Sequence, residues 1–192
     1  MNKKIIFSIL IILFISSVFA YHSNGEIKLL AVSETDDGFV GSVANLFLDI
    51  KPGNGRVFID TYPFTKLDTQ FTTRYAMRTA CEYLDKDCSD YDFFYTIKAG
   101  SAIIGDQSDG AATNLLTATL LDNKVLPDDI SVTGTINSGG LIGPVGGTKE
   151  KIIAASEKGI KKVYISSISL NETEREEIAL IDIQVIEVDN FD

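Results

Sequence analysis

The chain has 192 residues, a hydrophobic content of 45% and a formal net charge of −10. This length suits one domain, and this composition is sufficient to bury a core. The acidic balance, without any cluster of basic residues, excludes nucleic acid and anionic membrane surfaces as partners.

The first twenty residues have the pattern of an export signal. Lys3 and Lys4 precede an apolar run over residues 5–19, and Val18 and Ala20 stand where a signal peptidase reads small residues. The run is short for a membrane span of about 20 residues. We therefore expect a signal peptide over residues 1–20, with an uncleaved anchor as the alternative. The remaining residues, 21–192, form one extracytoplasmic domain that is secreted, or membrane-anchored if the segment is retained.

The two cysteines agree with this location. Cysteine pairs of exported proteins are usually oxidised, and six residues separate Cys81 from Cys88. We predict a disulfide between them, with two unpaired buried thiols as the alternative. Metal binding is not expected, because no histidine lies nearby and no second cysteine pair occurs.

Hydrophobic periodicity predicts an α+β fold, since strands and helices follow one another without regular repetition. The first strands, over residues 26–33, 39–50 and 56–60, are separated by turn signals that indicate an antiparallel meander. A helix follows over residues 68–84, with Asp68 or Thr69 as its N-cap. The other strands are predicted over residues 91–99, 130–136, 162–166 and 183–188, and the other helices over residues 109–121, 149–158 and 171–180.

The sequence excludes several common catalytic and binding sites. The single histidine is His22, close to the predicted cleavage point, which argues against hydrolases with a histidine base and against histidine-ligated zinc. No Gly-Lys dipeptide occurs, so this chain encodes no P-loop for a nucleotide. A hydrolase whose base is a lysine remains, because a neutral, buried amine can take the proton of an attacking serine.

Ser108 and Lys151 are the candidates for such a pair. Ser108 opens a predicted helix, where backbone N–H groups and the helix dipole favour a developing oxyanion, and Gly110 permits a close backbone approach. Taken singly, a serine before a helix is more often an N-cap, and a helical lysine is more often a solvated charge.

Three motifs together make the pair credible. They are Gly-Asp-Gln-Ser-Asp-Gly at 105–110, Val-Thr-Gly at 132–134 and Gly-Pro-Val-Gly-Gly-Thr-Lys-Glu-Lys at 143–151. Over residues 90–170 the chain resembles the proteolytic domain of Lon proteases, in which a serine before a helix is paired with the lysine of a Gly-Gly-x-x-x-Lys motif. Ser108 and Lys151 lie 43 positions apart, and the family pattern covers this interval without a gap. Residues 57–70 look more like exported archaeal relatives described as predicted serine proteases.

The resemblance implies a mixed-sheet fold with packed helices and an ATP-independent serine endopeptidase for unfolded or extended peptides. Ser108 and Lys151 are then the catalytic dyad, and Thr133 falls on the threonine that hydrogen-bonds the lysine. Backbone N–H groups near Ser108, including those of Gln107 or Asp109, are expected to hold the oxyanion. No cofactor is implied, and Lon domains associate into rings, so a homo-oligomer is compatible with the resemblance.

Two departures from the family pattern flank Ser108. Gln107 replaces a proline or aspartate, and Asp109 replaces an alanine. A carboxylate beside the nucleophile could repel the oxyanion or hold Lys151 protonated, whereas a solvent-facing carboxylate in the first helical turn would favour the dipole. The alternative function is therefore a catalytically weak or inactive domain that serves as an extracytoplasmic binding or assembly module.

Overall fold

The computed structural model describes residues 22–36, 38–62, 64, 66–100 and 107–191. The predicted signal segment over residues 1–20 lies outside these ranges. The strands of the described residues are β1 (Ser23–Thr35), β2 (Gly38–Pro52), β3 (Val57–Tyr62), β4 (Tyr91–Lys98), β5 (Ile130–Thr133), β6 (Thr135–Ile136), β7 (Ile142–Gly143), β8 (Lys162–Ser166) and β9 (Gln184–Val188). The helices in the same ranges are α1 (Leu67–Tyr83), α2 (Gly110–Leu121), α3 (Thr148–Glu157) and α4 (Glu172–Ile178). Within the described ranges, none of these helices is long and apolar enough to cross a bilayer.

A seven-stranded mixed sheet of order β3-β4-β2-β1-β5-β8-β9 is the centre of the fold. β1 and β2 form a long antiparallel hairpin, while β1, β5, β8 and β9 run parallel to one another. β6 and β7 form a separate two-stranded ribbon. The mixed sheet and its packed helices confirm the predicted α+β class.

The predicted antiparallel meander is wrong at its third strand. β3 pairs with β4, in parallel, and β4 lies between β3 and β2. The cause is Asp92, whose Oδ1 accepts hydrogen bonds from the backbone N–H groups of Asn54 and Arg56 at 2.8 and 3.0 Å. The Gly53 and Gly55 N–H groups also donate to carbonyls at the start of β4. These contacts carry the chain across β4 and place β3 at the sheet edge.

Helices cover both faces of the sheet and divide the core in two. The larger core lies beneath α1 and α2, where Gly25 of β1 leaves room for α2: a Cβ there would lie 3.0 Å from Leu120. The second core lies on the opposite face beneath α3 and α4 and includes Ile152, Ile165 and Ile178. The sheet therefore holds α2 and α3 on opposite sides of β1.

Helix α1 turns a different face to the core from the one its apolar spacing suggests. Its N-cap is Lys66 rather than Asp68 or Thr69. The buried residues of α1 are small ones, namely Thr69, Thr73, Ala76, Thr79, Ala80 and Cys81. They allow α1 to pack closely on α2, where the Asn114 amide donates to the Ala76 carbonyl at 3.0 Å.

A disulfide joins Cys81, near the end of α1, to Cys88, with their Cα atoms 6.1 Å apart. Cys88 begins a short 3-10 turn that leads directly into β4. The bond therefore ties the end of α1 to the start of a central strand.

Candidate active site

Ser108 lies in a 3-10 turn, Gln107–Asp109, that runs directly into α2. Its side chain is almost fully buried, with 4% of the residue exposed. The cap position of α2 belongs to Asp109 and not to Ser108, so the simple N-cap role does not describe this serine. Gly110 is needed for packing, because a Cβ there would lie 3.1 Å from Ile136 Cγ2 and 3.3 Å from the Ile136 nitrogen.

The Ser108 turn is fastened to the end of β5. The Gly134 N–H donates to the Ser108 carbonyl at 3.0 Å, and the Ala111 N–H donates to the Gly134 carbonyl at 3.0 Å. Thr133, the fully buried last residue of β5, also directs its hydroxyl at the Ser108 carbonyl, with an O···O distance of 3.5 Å. The structure thus brings two of the predicted site residues, Ser108 and Thr133, into contact.

Gly134 explains why the predicted strand over residues 130–136 is divided into β5 and β6. A Cβ at Gly134 would lie 2.5 Å from Ile142 Cγ2 and 3.1 Å from the Gly143 carbonyl oxygen. The chain therefore passes directly beneath β7 at this residue. This close approach brings the β6–β7 ribbon over the start of α2.

Lys151 lies in the first turns of α3 and is fully buried, with 0% of the residue exposed. Lysine is rarely buried to this extent in proteins. Its backbone N–H donates to the carbonyl of Gly147 at 3.0 Å. Gly147 has a left-handed backbone, φ 62°, and a Cβ there would lie 2.7 Å from Val32 Cγ1. The glycine-rich segment before α3 therefore presses the start of this helix against β1.

Strand β1 connects the two halves of the site. It contacts the Gln107–Asp109 turn and α3. In β2, the other strand of the hairpin, Gly41 lies directly against α3. A Cβ at Gly41 would lie 2.0 Å from the Glu150 carbonyl oxygen. Ser108 and Lys151 are thus both buried, on two elements that pack against the same strand.

Asp109 does not face solvent. Only 7% of the residue is exposed, so of the two alternatives left open for its carboxylate, the solvent-facing one is wrong. The reason is that α2 starts inside the fold, beneath β6 and α1, and its first residues are all buried. Gln107 is exposed, and residues 105 and 106 of the motif lie outside the described ranges.

A groove of about 490 Å³ opens at Gln107, the residue before Ser108. One wall comes from α1 and the other from Gln107 and β6, and the lining residues are Asp68, Phe71, Thr72, Tyr75, Gln107, Thr135 and Ile136. Phe71 and Tyr75 belong to the apolar periodicity that predicts the helix over residues 68–84, but that periodicity did not reveal their place in this groove. The signal that could have revealed it is the run of small residues on the other face of α1, which marks the face that packs inward.

Within the part of the chain that the structure describes, no group of histidine, cysteine, aspartate or glutamate side chains is arranged to hold a metal ion. The polar side chains of the candidate site are Ser108, Thr133, Asp109 and Lys151. All four are buried at one end of β1 and β5 or on the helices that begin there.

Comparison with known proteins identifies the domain. A family model described as the Lon protease (S16) C-terminal proteolytic domain matches residues 77–191, which include Ser108, Thr133 and Lys151. The chain belongs to this Lon proteolytic domain family. Membership supports a serine peptidase function, and it does not support the alternative of an inactive binding module.

Three Lon relatives show the extent of the similarity. The Lon protease of Paraburkholderia phytofirmans is 37% identical over 92 residues, which is 46% of this chain and 11% of that protein. The peroxisomal Lon protease homolog 2 of Xenopus laevis is 36% identical over 89 residues, 46% of this chain and 10% of that protein. The Lon protease of Amoebophilus asiaticus is 34% identical over 116 residues, 60% of this chain and 14% of that protein. The chain thus spans a small part of the length of the Lon proteases it matches.

Proposed function

We propose that this Lon-type domain is a serine endopeptidase in which Ser108 is the nucleophile and Lys151 is the general base. The observation that carries the proposal is the complete burial of Lys151 in the first turns of α3, a helix that Gly41 and Gly147 allow to pack closely on the β1–β2 hairpin. Burial disfavours an ammonium ion and favours the neutral amine, which is the form able to accept a proton. A lysine buried only for packing would be costly, because an apolar side chain would fill the same space better.

The strand register supports the pairing. Lys28 of β1 is the partner of Ser131 in β5, and Leu30 and Thr133 lie two residues further along each strand. Val32, two residues beyond Leu30, packs on Gly147, one helical turn before Lys151. The contact between Thr133 and Ser108 and the contact between Val32 and Gly147 therefore lie near the same end of β1.

The reaction proposed for this pair is an acyl transfer through Ser108. The Ser108 hydroxyl attacks the peptide carbonyl while its proton passes to the Lys151 amine. Backbone N–H groups at the start of α2 stabilise the oxyanion, aided by the helix dipole. The Lys151 ammonium then protonates the leaving amine as the C–N bond breaks and an acyl-enzyme remains. Water, deprotonated by Lys151, hydrolyses the acyl ester and restores Ser108.

Thr133 serves as a positioning residue in this scheme. Its hydroxyl proton points toward the Ser108 carbonyl, which leaves the oxygen lone pairs as acceptors for the Lys151 amine. Thr133 can thus hold the nucleophile turn and the base in a fixed relation. We expect Thr133→Val to lower kcat while leaving KM for a peptide substrate largely unchanged, whereas Thr133→Ser should retain most of the activity.

We further propose that cleavage needs no ATP and acts on unfolded or extended polypeptides. The groove at Gln107 lies on the surface between α1 and β6, and this chain contains no Gly-Lys dipeptide for a P-loop. Cleavage of a permanently unfolded protein should proceed at the same rate with and without Mg-ATP. Stimulation by ATP would contradict this part of the proposal.

We also propose that the domain acts outside the cytoplasm. The lysines and apolar run of residues 1–20 support export, and the Cys81–Cys88 disulfide fits an oxidising compartment. Fractionation of the producing cells, with mass determination of the protein, tests the proposal. Mature protein beginning near residue 21 would establish cleavage, full-length protein in the membrane fraction would establish an anchor, and a cytoplasmic, reduced protein would contradict export.

The function is tested with the purified protein, Ser108→Ala and Lys151→Ala. Wild-type protein should cleave an unfolded substrate at neutral to alkaline pH, and each variant should lose activity by at least about a hundredfold, because the members of a dyad act as a unit. If wild-type protein is as inert as the variants, the peptidase proposal fails. Restoration of cleavage by Asp109→Ala would then locate the inhibition in the buried carboxylate.

A further inference from the structure

A line of exposed apolar side chains runs along α1 beside the groove. Leu67, Phe71 and Tyr75 are 64%, 67% and 37% exposed, and we name these three residues the apolar ridge. They recur at every fourth position, so they share one helix face. Tyr62 and Phe64, which precede the helix in sequence, are also exposed, at 77% and 86%.

The ridge is not required to hold α1 in place. The small residues of the opposite face, such as Thr73, Ala76 and Ala80, make the buried contacts of this helix. Single exposed apolar residues are normal on a protein surface, but a contiguous line of them marks an interaction site. The ridge precedes residues 77–191, the part of the chain that the Lon family model matches.

The ridge is continuous with the groove that opens at Gln107. Phe71 and Tyr75 line that groove together with Gln107, the residue before Ser108. A polypeptide that presents its scissile bond to Ser108 along this groove therefore passes over the ridge. This continuity makes the substrate, rather than a distant partner, the occupant that the geometry favours.

The spacing of the ridge matches one kind of polypeptide. Side chains four residues apart on a helix lie about 6 Å from each other. In an extended chain, every second side chain points to the same face, at intervals of about 6.6 Å. Two apolar side chains separated by one residue can therefore seat beside successive ridge residues, whereas two adjacent apolar residues point to opposite faces and cannot.

We propose that the apolar ridge selects extended substrate segments in which bulky apolar side chains alternate with other residues. Such alternation is the pattern of a half-buried β-strand, so the preferred substrates are strand-forming segments exposed by unfolding. This inference rests on the proposed peptidase function, because it describes substrate binding at the same site.

The test uses the Ser108→Ala variant, so that binding is measured without cleavage. Two fluorescent nonapeptides of equal composition are compared by anisotropy: one has phenylalanine and leucine separated by a serine, and the other has them adjacent. The alternating peptide should bind about tenfold more tightly, as expected for partial burial of one more large side chain. Adding Phe71→Ser should remove the preference, and Leu67→Ser should weaken it.

Val125→Ser is the matched control for the loss of an exposed apolar side chain. Val125 is 90% exposed and lies after the C-terminal end of α2, whereas the groove lies at the N-terminal end of that helix. This variant should therefore keep the tenfold preference. Equal affinity for the two peptides, or a preference that survives Phe71→Ser, would overturn the proposal. Self-association that Phe71→Ser abolishes, without peptide preference, would overturn it in favour of an interface between copies of the chain.

Failure of the ridge and failure of the peptidase proposal are distinguishable. Cleavage of an unfolded protein by the wild type, and its loss in Ser108→Ala, report on the dyad alone. The peptide preference of the Ser108→Ala variant reports on the ridge whether or not the wild type cleaves. A cleaving enzyme without the preference would refute only the ridge, and an inert wild type would refute only the dyad.

Discussion

The backbone N–H of Gly134 donates to the carbonyl of Ser108 at 3.0 Å, and this bond fixes the candidate nucleophile to the end of β5. Ala111, the first residue after the Gly-Asp-Gln-Ser-Asp-Gly motif, donates its backbone N–H to the Gly134 carbonyl at 3.0 Å. Two elements distant in sequence are thereby held in register. The position of Ser108 consequently depends on a residue that contributes no side chain.

Gly134→Ala should therefore reduce both stability and activity. The new Cβ would lie 2.5 Å from Ile142 Cγ2 and force β6 and β7 apart. We expect the free energy of unfolding to fall by about 1–3 kcal/mol, as for other overpacked sites, and kcat to fall more than KM rises. Gly139→Ala is the control, because a Cβ there would meet its nearest described neighbour, Asn137 Oδ1, at 3.4 Å. Equal stability of the two variants in urea titration would contradict this account.

Gly146 and Gly147 are adjacent in the glycine-rich motif but should differ in their tolerance of alanine. Gly147 has φ 62° and lies against Val32, so Gly147→Ala should cost about 1–2 kcal/mol for the left-handed backbone alone. A Cβ at Gly146 would meet no described atom within 4 Å, so Gly146→Ala should change the free energy of unfolding little. The double variant Val32→Ala, Gly147→Ala should recover part of the steric loss. A larger loss of unfolding free energy in Gly146→Ala than in Gly147→Ala would contradict the close packing of α3 on β1.

Lys151→Met should separate catalysis from stability. Methionine fills a similar volume without a buried polar amine, so the free energy of unfolding should stay constant or rise by up to about 2 kcal/mol. Peptidase activity should nevertheless disappear, because no base remains to accept the Ser108 proton. Thermal unfolding and cleavage are measured on the same preparation. A variant that is strongly destabilised would indicate that Lys151 has a structural role.

Asp92 should make the stability of the fold pH-dependent in acid. Arg56 donates to its carboxylate at 3.0 Å, and together with the Asn54 N–H this lowers the pKa of Asp92 to about 2. Because the unfolded chain binds this proton with a pKa of about 3.9, the stabilisation is complete above that pH and is lost as the pH falls toward 2.

Asp92→Asn checks this relation. The variant should be less stable than the wild type at pH 7, and the difference should shrink steadily between about pH 4 and pH 2. Arg56→Gln should show the same convergence, since it removes the other partner. Unfolding midpoints of the wild type and the variants are measured across this pH range. A difference in stability between variant and wild type that stayed constant with pH would contradict the ion pair.

Many strands and helices could be predicted from sequence patterns of neighbouring residues. The features that were not predicted depend on contacts between residues far apart in the sequence. The strand over residues 162–166 and the hairpin of β1 and β2 were predicted because apolar alternation and a turn signal are local. The helix predicted over residues 149–158 ends locally as well, because Gly159, with φ 80°, follows the C-cap Lys158. The order of β3 and β4 could not be predicted, because it depends on Asp92 accepting hydrogen bonds from residues 36 and 38 positions earlier.

The candidate site shows the same division. The motifs singled out Ser108 and Lys151, both of which are buried, and both lie within the residues that match the Lon proteolytic domain. The burial of Asp109 was missed, because it depends on the packing of α1 and β6 over the start of α2. The exposure of Phe71 was missed because periodicity marks an apolar face without saying whether the core or a groove covers it.

The central claim, that Lys151 activates Ser108, is tested most directly by covalent labelling. The purified protein and its Lys151→Met variant are treated with a fluorophosphonate, which phosphonylates activated serine hydroxyl groups, and the adduct is located by peptide mass spectrometry. We predict a single adduct on Ser108 that forms at least about a hundredfold more slowly in Lys151→Met. Labelling at another serine, or equal rates in both proteins, would contradict the account.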